Sequence, residues 1–236
     1  SGTGVAPPAS ASSAAITGNN TGMPDIQGNI KMTSDWGALW LSGQVRTMSY
    51  TTDNNLGTGT TGTQLATVTG KSSDTEIGWG FNVGLNLTNP LGLHARDRLY
   101  LGATYGEGMR GMLGTVVNPA FSAAGVPLDA SLNPITGEID GHRQIGLTAH
   151  YQHWWNETVR STIVYAVIRL SPGNDFDAVG SLRRSGYYVA NLFWSPLPRI
   201  NLGVEATYMD IKLKSVTNTR DGANGLSLRA SAQVLW

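Results

Sequence analysis

The chain has 236 residues, no cysteine, 14% charged and 40% hydrophobic residues, and a formal net charge of zero. Its length suits one sizeable domain; the missing cysteines exclude disulfides, thiolate zinc sites and thiol catalysis, and the balanced charge argues against a general nucleic-acid binder, which needs a basic excess. No run approaches the roughly 18 apolar residues of a transmembrane helix, so the chain is either soluble or crosses a membrane as strands.

Residues 1–22, SGTGVAPPASASSAAITGNNTG, are small, polar and rich in Pro and Gly, with no period of 2 or 3.6. They predict an extracellular loop or flexible segment ahead of a strand-rich domain over 23–236. No secretory signal precedes Ser1, so an exported protein is expected here in mature or truncated form. From Met23 onward, nine segments of alternating polarity can be marked, near the length a tilted strand needs to cross a bilayer.

The first, 25–33, is weak, and the second carries Leu39, Leu41 and Val45 on one face. The third, 76–87, is the clearest. Ile77, Trp79, Phe81, Val83, Leu85 and Leu87 alternate with Glu76, Gly78, Gly80, Asn82, Gly84 and Asn86. The fourth has Leu99, Leu101, Ala103 and Tyr105, and the fifth Ile145, Leu147, Ala149 and Tyr151. The sixth, 159–170, is partly apolar on both faces, and the seventh, 187–194, is weak. The eighth sets Ile200, Leu202, Val204, Ala206 and Tyr208 against Asn201, Gly203, Glu205 and Thr207. The ninth opposes Leu226, Leu228, Ala230, Ala232, Val234 and Trp236 to Ser227, Arg229, Ser231 and Gln233.

Tight connections at 34–37, 89–95, 154–158 and 195–199 alternate with long ones at 51–72, 108–140, 171–185 and 212–225. Short turns at one end and long loops at the other are the pattern of outer-membrane barrels. Trp36, Trp154, Trp155, Trp194 and Trp236 sit beside the short turns, where an interfacial girdle places aromatics. A soluble sandwich also alternates, but faces rich in Gly, Asn and Arg make a poor dry core. The fold class is therefore all-β, a transmembrane antiparallel barrel. Nine is odd, and the last strand ends on the short-turn side, so the first strand begins on the long-loop side. Single-chain barrels have even strand numbers, which leads us to expect further strands upstream.

The polar phase of the strands contains Arg46, Arg98, Arg160 and Arg229, opposed by Glu76 and Glu205. These six are the candidate pore-lining and anion-binding residues, because a cationic bias in a narrow aqueous channel lowers the energy of passing anions. Arg–carboxylate pairs bracing the wall are the plain alternative. Arg98 and Arg160 begin strands near short turns, whereas Arg46 and Arg229 are better placed for mid-channel. Arg143, Arg183 and Arg184 fall towards the long loops and are candidates to recruit anions there, against a reading as solvated loop charge. Residues 106–111, GEGMRG, formally match a dinucleotide fingerprint, but Pro119, Gly125 and Pro127 break the helix it requires. His94, His142, His150 and His153 form no metal-ligand spacing with nearby carboxylates, and no nucleophile elbow is present. No catalytic residue, metal or cofactor is expected. The apolar NPAFSAAGVPL within 108–140 is expected either to fold inward and narrow a pore or to pack on a neighbouring subunit.

Four segments carry a resemblance: PDIQGNIKMTSDWGALWLSGQVR at 24–46, DRLYLGATYGEG at 97–108, YQHWWNETVRSTIVYA at 151–166 and ANLFWSPLPRINLGVEATYM at 190–209. The most telling are WWNxxxRST and ANLxWSPxPR followed by GxE, each a turn with both flanking strands. In these segments the chain resembles the C-terminal half of the DcaP-like porins, trimeric outer-membrane channels of Gram-negative bacteria. The resemblance implies a barrel of about 16 strands, of which those seen here are the last. It also implies a homotrimer in outer-membrane lipid and lipopolysaccharide, and uptake of small anionic solutes such as dicarboxylates.

The expected function is passive diffusion of small polar solutes through an outer-membrane porin, favouring anions. The alternative is a barrel-anchored scaffold, adhesin or surface-assembly protein acting through loops 51–72 and 108–140. An outer-membrane hydrolase would need a reactive centre that the sequence does not display, so no enzyme is expected.

Overall fold

The computed structural model describes residues 15–16, 24–51, 73–109, 129–133, 136–171, 173, 182–213 and 222–234. Nine strands form one antiparallel sheet: β1 (Ile26–Ser34), β2 (Gly37–Thr51), β3 (Ser73–Thr88), β4 (Arg98–Glu107), β5 (Arg143–Trp154), β6 (Val159–Ser171), β7 (Leu182–Leu197), β8 (Ile200–Leu213) and β9 (Gly222–Val234). Their order across the sheet is their order in the chain. This is an up-and-down meander, the topology of an outer-membrane barrel wall. The weakly alternating segments are strands too, and β7 runs on both sides of the predicted 187–194, to Leu182 and Leu197. Pairing with two flanking strands supplies the ladder that β7's own pattern only partly announces.

Burial in this sheet is inverted relative to a soluble domain. Ile30, Ile77, Ile163 and Leu228 are 66%, 61%, 62% and 75% exposed, whereas Thr162 and Thr207, on the opposite face, are 8% and 4% exposed. In water each exposed aliphatic side chain forgoes about 1.5–3 kcal/mol of burial, and contact with hydrocarbon restores it. The polar face is not polar throughout. At its long-loop end Ile168, Leu170, Leu182 and Ile211 are buried together, with Leu213 packed against them. That dry patch explains why the sixth segment is apolar on both faces.

The short connections are shaped by backbone chemistry. At the β1–β2 turn Gly37 has φ +140°, and a Cβ there would sit 1.8 Å from the Asn86 carbonyl oxygen. Only glycine fits so close an approach. Asn89 holds φ 48° at the start of the β3–β4 turn, a conformation that Asn tolerates better than most residues.

In the long connection between β4 and β5, Ala130–Leu132 pairs with Ile139–Gly141 as a short hairpin. Ala15–Ile16 adds a third strand against Ala130 and Ser131. Apart from those two residues, the loop expected over 1–22 lies outside the described residues. So do 52–72, Trp236 and the NPAFSAAGVPL stretch. The sheet is open: β1 and β9 form its margins, each paired on one side.

Candidate functional site

Alternation puts a continuous row of polar side chains across the polar face. Register partners carry it from Thr88 to Arg98 and from Arg98 to Gln152. It continues through Thr162, Asn191 and Glu205 to Arg229. Three predicted site residues, Arg98, Glu205 and Arg229, thus share one line across β4–β9. Because barrel strands tilt by about 35–45°, a row perpendicular to the strands climbs along the barrel axis. Arg98 starts β4 next to a short turn, whereas Arg229 stands in the middle of β9. Within the row Asn191 Oδ1 accepts from the Thr162 backbone N–H (3.1 Å) and Thr207 Oγ1 donates to Glu205 Oε1 (3.3 Å). Arg229, on the marginal strand, makes no ion pair within 4.0 Å among the described residues.

The long-loop end of the same face is covered by the 130–141 hairpin. Arg46 Nη1 reaches Asp129 Oδ2 at 3.4 Å, and its Nε lies 3.7 Å from Asp25 Oδ1. Gln44 Nε2 also donates to Asp25, at 2.8 Å. The Ile139 N–H donates to Asp74 Oδ2 at 2.8 Å, tying the hairpin to β3. Its root is fixed by main-chain bonds from Gly108 to the His142 carbonyl (3.0 Å) and from His142 to the Asp129 carbonyl (2.8 Å). Ser131 and His142 share a buried side-chain hydrogen bond. Met48 is 1% exposed beneath Gly108, whose φ of +66° is one that L side chains rarely adopt. Glu76 stands half-buried nearby, under the combined repulsion of Glu107, Asp140 and Asp74. Two predicted site residues, Arg46 and Glu76, therefore belong to a hairpin-covered group rich in carboxylates, apart from the Arg98–Arg229 row.

The short-turn end braces the remaining arginines. The Arg160 guanidinium lies 5.3 Å from the Trp154 ring and 5.0 Å from the Phe193 ring, and Nη1 donates to Ser195 Oγ at 3.3 Å. Trp154 is thus half-buried on the polar face, also receiving Arg96 at 5.0 Å, while Trp36, Trp155 and Trp194 stay exposed as a girdle would. Arg98 Nη1 donates to the carbonyls of Asp97 (2.7 Å) and Ala95 (3.1 Å). Asp97 itself is fully enclosed. Its carboxylate accepts from the Trp154 N–H and the Tyr151 hydroxyl, both at 2.9 Å, and lies 2.9 Å from His153 Nδ1. Burial alone raises such a carboxyl, but these bonds from Trp154, His153 and Tyr151 outweigh it and hold Asp97 below the usual carboxylate range.

An aromatic strip on the polar face has no counterpart among the predicted site residues. Trp40 stacks on Tyr100 (5.5 Å between centroids, 23°), and Tyr100 meets His150 edge-on at 6.2 Å. The sequence signal was the glycines opposite. A Cβ on Gly84 would strike the Trp40 indole at 2.2 Å, so Gly84 is the floor on which the ring lies. Among the described residues no group of three or more His, Asp and Glu is placed to hold a metal ion.

No protein-family model and no curated protein matches the chain. Among solved structures it is similar to the outer membrane channel DcaP of Acinetobacter baumannii, with a TM-score of 0.60 over 91% of this chain at 15% identity. The fold is that of a porin barrel wall. The chain covers 52% of the DcaP chain, about half its length. The NanC porin is a looser match, with a TM-score of 0.39 and 10% identity over 90% of this chain and 93% of that one. In a porin-type wall the exposed apolar face is the lipid side and the polar face the lumen side. The Arg98–Arg229 row, the 130–141 hairpin and the Trp40–Tyr100 strip all lie on the polar face, opposite the exposed aliphatic residues.

Proposed function

We propose that the chain forms part of an outer-membrane porin that lets small polar solutes diffuse passively, with a preference for small anions such as dicarboxylates. The observation that carries this reading is the polar-face row ending at Arg229, a cation with no ion pair within 4.0 Å among the described residues, on a wall whose opposite face is apolar. A guanidinium facing a narrow aqueous path offers planar, bidentate hydrogen bonding to a carboxylate and raises the energy of cations. Arg46 plays a different part. With Asp129 and Asp25 beside it, it anchors the hairpin that narrows the lumen. Arg98 and Arg160 hold the short-turn mouth, where their charge attracts anions without being free to move with them.

Closure of the wall belongs to the same proposal. In lipid, the unpaired backbone groups along β1 and β9 would each cost several kcal/mol, so further strands complete the barrel, and three such barrels assemble in outer-membrane lipid. The test is reconstitution of the full-length protein into planar bilayers, with ion selectivity read from the reversal potential in a salt gradient. Conductance that favours anions supports the reading, and absence of conductance sinks it.

A further inference from the structure

On the lipid side, the long-loop ends of β5–β8 carry cations that a channel does not use. Arg184 is the register partner of Arg169 on β6 and of Lys212 on β8. On β5, Ile145 opposes Arg169, and Arg143 lies on the same face one alternation closer to the loops. Arg143, Arg169 and Lys212 are exposed, and the Arg184 side chain is 30% exposed. Directly opposed strand partners lie about 4.5–5.5 Å apart at Cα, and like charges so placed repel. Among the described residues two carboxylates border them: Asp210 Oδ2 is 3.9 Å from Arg184 Nη1, and Glu107 is the register partner of Arg143. Arg184 Nη2 donates to the Tyr188 hydroxyl at 3.4 Å, and its buried Nε has no hydrogen-bond partner among the described residues. Among the described residues, four cations against two carboxylates leave the group a net positive charge.

Its height fits a head group. Towards the membrane centre, Tyr165, Tyr188 and Tyr208 form the next aromatic row on the same face, with centroids 5.3 and 5.8 Å apart. Trp194 marks the other end of that face on β7 and is 50% exposed. At about 3.3 Å per residue, the stretch from Trp194 to Arg184 is roughly 33 Å along the strand, or roughly 25 Å along the axis at a 40° tilt. That is the height of the apolar band of an outer-membrane barrel. The cations thus sit where hydrocarbon gives way to head groups, just beyond an interfacial tyrosine row.

We propose that Arg143, Arg169, Arg184 and Lys212 form a binding site for the phosphate groups of a phosphorylated outer-leaflet glycolipid. The site rests on reading the sheet as a membrane wall. Guanidinium groups match phosphate oxygens as forks, and the ammonium of Lys212 adds a point charge. The Tyr188 hydroxyl accepts from Arg184 Nη2 and ties that guanidinium to the tyrosine row beside the acyl–saccharide boundary.

The test measures binding of diphosphoryl lipid A and of its dephosphorylated form to the purified full-length protein, wild type and Arg169→Gln/Arg184→Gln/Lys212→Gln, by native mass spectrometry. The expected result is about a ten-fold loss of affinity for the diphosphoryl lipid in the variant, equivalent to 1.4 kcal/mol, and no change for the dephosphorylated one. Equal affinity in both proteins overturns the site, as does displacement of the lipid by millimolar inorganic phosphate alone. If the triple variant does not fold, Lys212→Gln serves alone, with a loss of about three-fold expected and none overturning the proposal. Conductance of the same preparations reads the channel separately. Normal conductance with unchanged lipid affinity sinks the site and not the channel, whereas phosphate-dependent binding by a non-conducting protein upholds the site and sinks the channel.

Discussion

Arg46 and Asp129 are 83 residues apart in sequence, and their side chains meet at 3.4 Å between the β2 wall and the root of the hairpin that covers the polar face. Both are largely buried, at 14% and 6% side-chain exposure, so the pair is shielded from solvent screening. Asp129→Asn removes the charge and keeps the shape. We expect the hairpin to loosen, at a stability cost of about 1–3 kcal/mol, with larger or noisier single-channel currents. Currents identical to wild type would show that the hairpin does not narrow the path.

Selectivity should follow the mid-strand end of the polar row. Arg229→Gln is expected to lower the anion-to-cation permeability ratio, and Glu205→Gln, on the facing position of β8, to raise it. Arg160→Gln should shift the ratio less, because that guanidinium is already engaged by Trp154 and Phe193. Reversal potentials measured at constant total salt decide between these orders, and a larger effect at Arg160 would reverse the assignment.

Asp97 makes the short-turn end acid-labile. Its folded pKa is depressed, so its contribution is fully present above the unfolded carboxylate value of about 3.9 and is lost as pH falls through the lower folded value. Asp97→Asn should flatten the decline of thermal stability below about pH 4. Asp97→Ala should also destabilise at neutral pH, by about 1–3 kcal/mol for each donor left without an acceptor. Melting curves from pH 2 to 7 provide the measurement, and parallel declines in wild type and Asp97→Asn would refute the linkage.

At the β1–β2 turn, Gly37→Ala places a methyl group against the Asn86 carbonyl, which the ladder with β3 holds in place. Relief requires the turn to move, and a loss of several kcal/mol is expected. Gly28→Ala is the control, since nothing lies within 4 Å of the Cβ it would gain. Refolding yield into detergent micelles should fall for Gly37→Ala alone.

The fold was largely legible in the residues. Period-two alternation in 76–87 and 200–208 announced strands with one apolar face, and the unequal connections announced a barrel meander. The weak segments were hidden for a local reason. At the long-loop end of β6 the polar face turns dry, so Ile168 and Leu170 break the alternation that Ile163 and Tyr165 follow. Trp154 was read as girdle from its place beside a turn, but the strand's phase carries it to the polar side, under Arg160.

Sequence by itself determined which side chains share a face, because a strand alternates with a period of two and leaves that choice no freedom. It therefore found Arg98, Glu205 and Arg229 together on the polar side. Tertiary structure alone decided which charges face open space and which are spent. The fold of the β4–β5 connection put Asp129 against Arg46, and strand register put Trp154 and Phe193 around Arg160. Contacts between groups so distant in the chain depend on register and loop path, which no local pattern of polarity encodes.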